Sequence, residues 1–439
     1  MNSRWFFTAA FLLMLNSSAA QQKPNIIYIM TDDLGYADLS CYGRKDYQTP
    51  NLDKLASQGM KFTQAYAAAP VCTPTRTAFM TGRYPARTSI GLLEPWTPVK
   101  RNSSIGLNAA DHSVAALVKK AGYETALIGK WHLGVGPSFH PLDNGFDYFF
   151  GTQTGGADYI SRRGDGGGHD LYENRKPFHT KGYTTELLGA KTISFLQQTH
   201  HKPFFLSLQF TAPHWPWQGP NDAALPDTVP MSAKLMQSMG TPEAYKAMMK
   251  SLDDQIGLIL KTLEETGLAA NTIVIFTSDN GGEKFSDMGP LAKMKMTVWE
   301  GGVRVPAFVR WPGKIKENTV SHQQVITMDW TATILAAAGA KANDKYATDG
   351  INLLPVLTSN QPILPRTFYW RIFQRRNQHA ILDHNWKYIV DEKGEHLFDL
   401  SVDEGERNNL VTTKPAKAEE LKKKYKSWEQ SILTPLPLQ

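Results

Sequence analysis

Four runs of apolar, β-branched and aromatic residues, at 25–31, 123–129, 203–211 and 272–277, each give way at once to polar side chains. Nothing else in the chain constrains the fold as much. Short runs with no polar alternation read as strands buried on both faces. The first delivers Asp32 and Asp33, the second Lys130 and His132, the third His214, and the fourth Asp279 and Asn280. In a parallel sheet these strand ends share one edge, where open α/β sheets place their ligand crevice. Helical stretches alternate with the runs: one opened by Thr49-Pro50 and ended by Gly59, one from Thr241-Pro242 to Gly267, and one over 329–338 before Gly339. The expectation is an α/β fold, a large, mostly parallel central sheet with helices on both faces. Beyond Pro365 the texture changes to short strand-like pieces at 367–373, 378–383, 386–390 and 396–400, then a Lys-rich helix. We expect an α/β domain over 21–364 and a small C-terminal antiparallel sheet with one helix over 365–439.

The residues at the strand ends suggest chemistry. Asp32, Asp33, Asp279 and Asn280 offer only oxygen ligands, which suits a hard cation such as calcium or magnesium and disfavours zinc. Either pair alone reads equally well as a tight turn; on one sheet edge together they favour a metal. Cys72 precedes a helix expected over 74–81 and stopped by Gly82, so residue 72 sits near a positive helix terminus with free backbone N–H groups. Arg76 follows one turn along, and Lys130 and Lys295 arrive from elsewhere; converging, they would neutralise an anionic ester. Singly, Lys130 reads as a surface ammonium, His132 as a ring packed beside Trp131, and His214 as a loop residue between prolines. The constellation, not any member, points to a site.

Cys72-Thr73-Pro74-Thr75-Arg76, continued through Thr77 to Arg83, resembles the C-x-P-x-R signature at which type I sulfatases convert cysteine to formylglycine. The likeness extends, in the family's order, through Pro24 to Gly35, Gly129 to Gly134, Ala212-Pro213-His214, Thr277 to Gly281, and Lys295 to Pro306 with its Glu300-Gly301-Gly302. The chain is thus similar to type I sulfatases of the alkaline phosphatase superfamily over most of its length. That resemblance implies an alkaline-phosphatase-like fold, with calcium bound by Asp32, Asp33, Asp279, Asn280 and the converted residue 72. It implies that Arg76, Lys130, His132, His214 and Lys295 surround the sulfate. One hydroxyl of the formylglycine hydrate would attack sulfur, with His214, near Lys295, as the acid for the departing alcohol. The second would expel sulfate, with His132 accepting the proton. Met294 and Met296 flank Lys295 where the family more often has small residues, and Lys293 is a competing cation. A further sulfate-contacting hydroxyl is unplaced, with Thr152 and Thr154 both open.

The start of the chain and its charge bound the setting. Met1 to Arg4, an apolar stretch over 5–15 and small residues at 18–20 read as a secretory signal peptide over 1–20, and no later run is long enough to span a membrane. We expect an exported protein, periplasmic or secreted, without a membrane anchor; a formylglycine-generating maturation enzyme would be a partner. Two cysteines allow at most one disulfide. The net charge of +6 is modest, and with no recognition motif beside it the Lys-rich 414–426 stretch reads as a solvated helix face, not a nucleic-acid site. The polar loop over 162–169 is open between a substrate-contact loop and a solvated insertion. Trp215, Trp217 and Trp299 lie near the motifs as sugar platforms or packing. By analogy the substrate is a sulfated carbohydrate, and residues 136–151 look somewhat like hexosamine 6-sulfatases. The alternatives are an arylsulfatase, a phosphoester or phosphonate ester hydrolase on the same scaffold, and a silent glycan-binding protein.

Overall fold

A computed structural model of the chain describes residues 23–229, 231–359 and 363–436; the expected signal peptide over 1–20 lies outside them. The strand Asn25–Thr31 runs through the middle of an 11-stranded sheet, paired in parallel with Phe204–Gln209 on one side and Thr272–Ser278 on the other. Glu124–Gly129 continues in parallel beyond Phe204–Gln209, followed by Tyr148–Gly151. Alternate side chains enter different layers. Ile27, Ile29, Leu206 and Phe276 pack beneath the helices Pro50–Ser57, Thr184–Leu196 and Pro242–Glu265. Ile26, Tyr28, Phe205 and Ile275 pack beneath Cys72–Thr81, Val114–Lys120 and Thr327–Ala338. Burial on both faces is why these strands are apolar throughout.

Past Thr272–Ser278 the sheet turns antiparallel through Arg304–Arg310 and Met60–Tyr66, strands that the apolar-run pattern does not reveal. Arg304–Arg310 contains Pro306, which argues against an interior strand. The ladder with Met60–Tyr66 shifts register between Phe62 and Ala65, and Pro306 falls at that irregularity, between the paired Val305 and Ala307.

The C-terminal strands Thr367–Ile372, Gln378–Asp383, Trp386–Asp391 and Gly394–Asp399 form the expected antiparallel sheet. Its one face packs Ile381, Tyr388 and Leu397 against Leu421 and Tyr425 of the helix Pro415–Glu429. The other presses Trp370, Ala380, Leu382 and Ile389 onto Tyr66, Val71, Cys72 and Val298 of the large sheet's layer. The lysines of that last helix are solvated, with Lys417, Lys422 and Lys424 paired to Glu420, Glu395 and Asp383.

Candidate active site

The polar ends of the parallel strands converge around Cys72. Its helix starts at Cys72 itself, two residues before the expected start, because Val71 already serves as the extended cap and Pro74 falls in the first turn, where a missing N–H costs nothing. Every residue of Cys72–Thr81 is buried, and its four threonines stay satisfied: Thr75 Oγ1 donates back to the Ala69 carbonyl, Thr77 Oγ1 to that of Thr73 and Thr81 Oγ1 to that of Thr77, while Thr73 Oγ1 donates across to the His132 carbonyl. Phe79 stacks on Tyr28 of the central strand with centroids 3.8 Å apart, fixing the helix to the sheet. Gly82 closes it at φ 67°, where a side chain would be strained.

Asp32 and Asp33 leave the end of one strand and Asp279 and Asn280 the end of its neighbour, linked by Asn280 Nδ2 donating to Asp33 Oδ1 at 2.7 Å. Each carboxylate has its own cation: Lys130 Nζ is 2.5 Å from Asp32, Lys295 Nζ 2.6 Å from Asp33, and Arg76 Nη2 2.8 Å from Asp279. Burial tends to raise Asp32, yet Lys130, His214 and Arg76 together hold it well below the usual carboxylate range. Burial, then the charge of Asp32, pushes Asp279 up to about 7. Ligand atoms of Asp32, Cys72 and Asp279 lie within 4.8 Å of one another. Asp32 Oδ1 and Asn280 Oδ1 are buried with no hydrogen-bond donor. Two orphaned acceptors among carboxylates fit a hard cation, since buried oxygens otherwise find partners.

Three of the expected cationic and imidazole groups reach the cleft and two do not. His132, His214 and Lys295 line, with Cys72, a cleft of about 320 Å³. Arg76 and Lys130 lie behind it, gripping Asp279 and Asp32; Arg76 Nη1 also donates to Gln209 Oε1 at 3.1 Å. Thr152 and Thr154 do not line the cleft, and Thr154 Oγ1 donates to Asp170 at 2.5 Å. Lys293 is exposed over Trp299, 5.7 Å from the ring centroid, so Lys295 is the cation that enters.

The two imidazoles have defined tautomers. His132 Nε2 donates to the Trp96 carbonyl at 2.8 Å, leaving Nδ1 as a buried acceptor without a partner. Its φ is 55°, a left-handed conformation uncommon outside glycine. Burial, with Lys130 nearby, holds its pKa far below the ordinary histidine value. His214 Nδ1 donates to the Trp215 carbonyl at 2.5 Å, which leaves Nε2 free, 3.6 Å from Asp33. Burial holds His214 down to about 3, so it is neutral here. Lys295 stays charged because Asp33 and Glu283 outweigh its burial. Burial pushes the Cys72 thiol up to about 11, leaving it protonated and unreactive as it stands.

Several contributors escape sequence reasoning. Trp96 and Glu283 line the cleft; the apolar-run pattern sets neither apart. In the 162–169 loop, Arg162 and Arg163 turn away and donate to the backbone carbonyls of Thr180, Gly182, Asp227 and Val229, while Asp165 and Gly166 face the cleft. Burial pushes Asp165 up to about 6. Trp215, Trp217 and Trp299 are at most 9% exposed, and of the three Trp215 lines the cleft with Cys72. Beneath Lys295, Glu300 opens the short helix Glu300–Val303 and is met by Lys387 Nζ at 2.7 Å, which is also 2.9 Å from Glu406; all three side chains are fully buried. A Cβ on Gly301 would stand 2.3 Å from the Lys293 carbonyl and one on Gly302 1.9 Å from that of Thr297, so Glu-Gly-Gly packs directly against the loop presenting Lys295.

An α/β sheet with carboxylates, a buried cysteine and cations gathered at its strand ends defines a hydrolase of anionic esters with an alkaline-phosphatase-like fold. The chain belongs to the sulfatase family: the family's profile matches residues 24–340, and that of the N-sulphoglucosamine sulphohydrolase C-terminal region matches 293–431. It is therefore a sulfuric ester hydrolase. It is 35% identical to N-acetylgalactosamine-6-sulfatase of Homo sapiens, over 81% of this chain and 70% of that one. It is 30% identical to steryl-sulfatase of Homo sapiens, over 80% and 72%. The crystal structure of Ps i-CgsB in complex with k-i-k-neocarrahexaose superposes with a TM-score of 0.82 at 29% identity, covering 95% of each chain. No helix among the described residues is long and apolar enough to cross a membrane.

Proposed function

We propose that the protein removes sulfate from a sulfated carbohydrate, using residue 72 as formylglycine and one calcium ion. The observation that carries this reading is the cluster of Asp32, Asp279 and Cys72 with the two partnerless oxygens of Asp32 and Asn280. Asp32, Asp33, Asp279, Asn280 and residue 72 would hold the cation. The hydrated aldehyde and the cation would supply a hydroxyl nucleophile and the positive charge that makes it acidic.

The chain's own residues then have distinct tasks. The Lys295 ammonium, at the cleft wall, pairs with a sulfate oxygen and orients the ester. Arg76 and Lys130 fix Asp279 and Asp32 from behind, so the carboxylates need no rearrangement on binding. His214 is neutral before substrate arrives; the incoming anion favours its protonation at Nε2, from which it protonates the leaving alcohol. His132 keeps Nδ1 as a lone pair aimed at no protein group and accepts a proton there.

A carbohydrate ester is supported by the likeness to an N-acetylgalactosamine-6-sulfatase and to a protein crystallised with neocarrahexaose, so a galactosamine 6-sulfate glycan is the first substrate to try. We read the natural setting as exported. The test is a peptide mass spectrum of protein from a host that performs the conversion, followed by sulfate release from that glycan. A residue 72 found only as cysteine in fully active protein would end the formylglycine reading; activity on aryl sulfate but no sulfated sugar would end the carbohydrate one.

A further inference from the structure

A second hollow of about 850 Å³ adjoins the cleft. The two share Gln237, Glu283, Lys295 and Met296, so the second hollow lies directly beside the cleft, on the side of the C-terminal sheet. What lines this continuation is unusual in its charge. Lys284, Lys293, Arg376 and Lys393 line the second hollow and Arg375 the first; all five are exposed. Among the described residues none of their side chains pairs with a carboxylate, in contrast to Lys417, Lys422 and Lys424 on the last helix.

The groove's acids, meanwhile, are already engaged. Lys295 lies 3.4 Å from Glu283, Asp391 accepts from His396 at 2.9 Å and from Trp299 Nε1 at 3.2 Å, and Glu392 accepts from Gln378 at 2.8 Å. Two of the cations are also held to the wall, Lys284 over Phe285 at 4.8 Å and Lys293 over Trp299 at 5.7 Å. With Lys295 the two hollows carry six cationic side chains against the carboxylates of Asp165, Glu283, Asp391 and Glu392, and this excess of positive charge in a concave surface raises the local potential for an anion.

We propose that the two hollows form one groove whose cationic end binds a sulfate or carboxylate on a second sugar, so that the preferred ligand is a polyanionic sulfated oligosaccharide, not a single sulfated sugar. This rests on the sulfatase reading above and adds to it the length and charge of the substrate. The C-terminal sheet, which supplies Arg375, Arg376 and Lys393, thereby becomes part of the binding surface.

The experiment compares a chondroitin 6-sulfate tetrasaccharide with N-acetylgalactosamine 6-sulfate, both as competitors of 4-nitrophenyl sulfate turnover and as ligands in calorimetry. The triple variant K284A/R376A/K393A is run beside the unaltered protein. All three positions are exposed and outside the catalytic machinery, so aryl sulfate turnover stays unchanged. The tetrasaccharide should bind more tightly than the monosaccharide, and the variant should lose on the order of tenfold in tetrasaccharide affinity with the monosaccharide unaffected. Raising ionic strength should erode the same advantage. Equal affinities for the two sugars, or an equal loss for both in the variant, would overturn the proposal. Absence of aryl sulfate turnover in protein carrying formylglycine would instead defeat the sulfatase mechanism, while calorimetry still tests the groove.

Discussion

Lys387→Met removes the ammonium that bridges two buried carboxylates, Glu300 at 2.7 Å and Glu406 at 2.9 Å. Glu300 would keep Tyr66 Oη at 3.0 Å and Arg304 at 3.5 Å; Glu406 would keep only the Glu300 backbone N–H at 2.7 Å. Breaking a buried ion pair by removing one partner costs about 3–5 kcal/mol. At ~2 °C per kcal/mol for a long chain, that is a fall in Tm of about 6–10 °C at pH 8. The loss should depend on pH in a definite direction. Burial already pushes Glu406 up to about 7 from the ordinary glutamate value of 4.5, with Lys387 opposing the rise. The folded chain therefore keeps a proton that the unfolded chain releases between those values, and stability falls as pH rises through that window. Without Lys387 the folded value rises further and the window extends upward, so the variant's deficit grows from pH 5 to pH 8. Adding Glu406→Gln should recover about half of it. Because the Glu300 turn packs against the loop presenting Lys295, kcat/KM on aryl sulfate should also drop by roughly ten- to a hundredfold. Differential scanning calorimetry from pH 5 to pH 8, with kinetics on the same samples, is the assay. A deficit that is flat with pH, or a Tm within about 1 °C of the unaltered protein at pH 8, would refute the reasoning.

Cys72→Ala should abolish turnover while the circular dichroism spectrum and Tm hold, because the side chain lost is small; retained activity would remove residue 72 from the chemistry. Chelation should inactivate the protein and calcium should restore it, since the candidate ligands include carboxylates and an amide oxygen; recovery with zinc alone would contradict the hard-cation assignment. His214→Ala should slow sugar sulfates by about 10²-fold or more and nitrophenyl sulfate far less, because a poor leaving group needs the proton most; equal losses on both would make His214 a binding residue.

Much of the site is legible in the chain because parallel strands buried on both faces announce themselves as unbroken apolar runs, and polar residues at their ends have one edge on which to meet. Asp32, Asp33, Asp279, Asn280, His132 and His214 follow from that alone. What remains hidden is hidden for particular reasons. The strand Arg304–Arg310 carries a proline at a register irregularity, and Met60–Tyr66 mixes polar with apolar positions. Lys387 alternates with Trp386 and Tyr388 as a solvent-facing residue of a surface strand would, but the sheet is covered on both faces, and the lysine points at Glu300. Gln209 sits inside an apolar run and shows its role only when Arg76 is brought beside it from 133 residues away. Nor does spacing distinguish cations that face the cleft, such as Lys295, from those that brace its carboxylates, such as Arg76 and Lys130.

The burial of Cys72 bears on the order of events during synthesis. Its side chain lies at the floor of the cleft, with the residue only 2% exposed. The pocket that encloses it needs Asp33 and Asn280, 247 residues apart in the chain, to come together. Residue 72 leaves the ribosome long before residue 280 exists, and in that interval it is part of an open strand of polypeptide. A maturation enzyme that needs to grasp the Cys72-to-Arg76 segment has that interval to do so. Protein folded with its cysteine intact would be expected to resist conversion afterwards, so the proportion of active molecules would be set during synthesis.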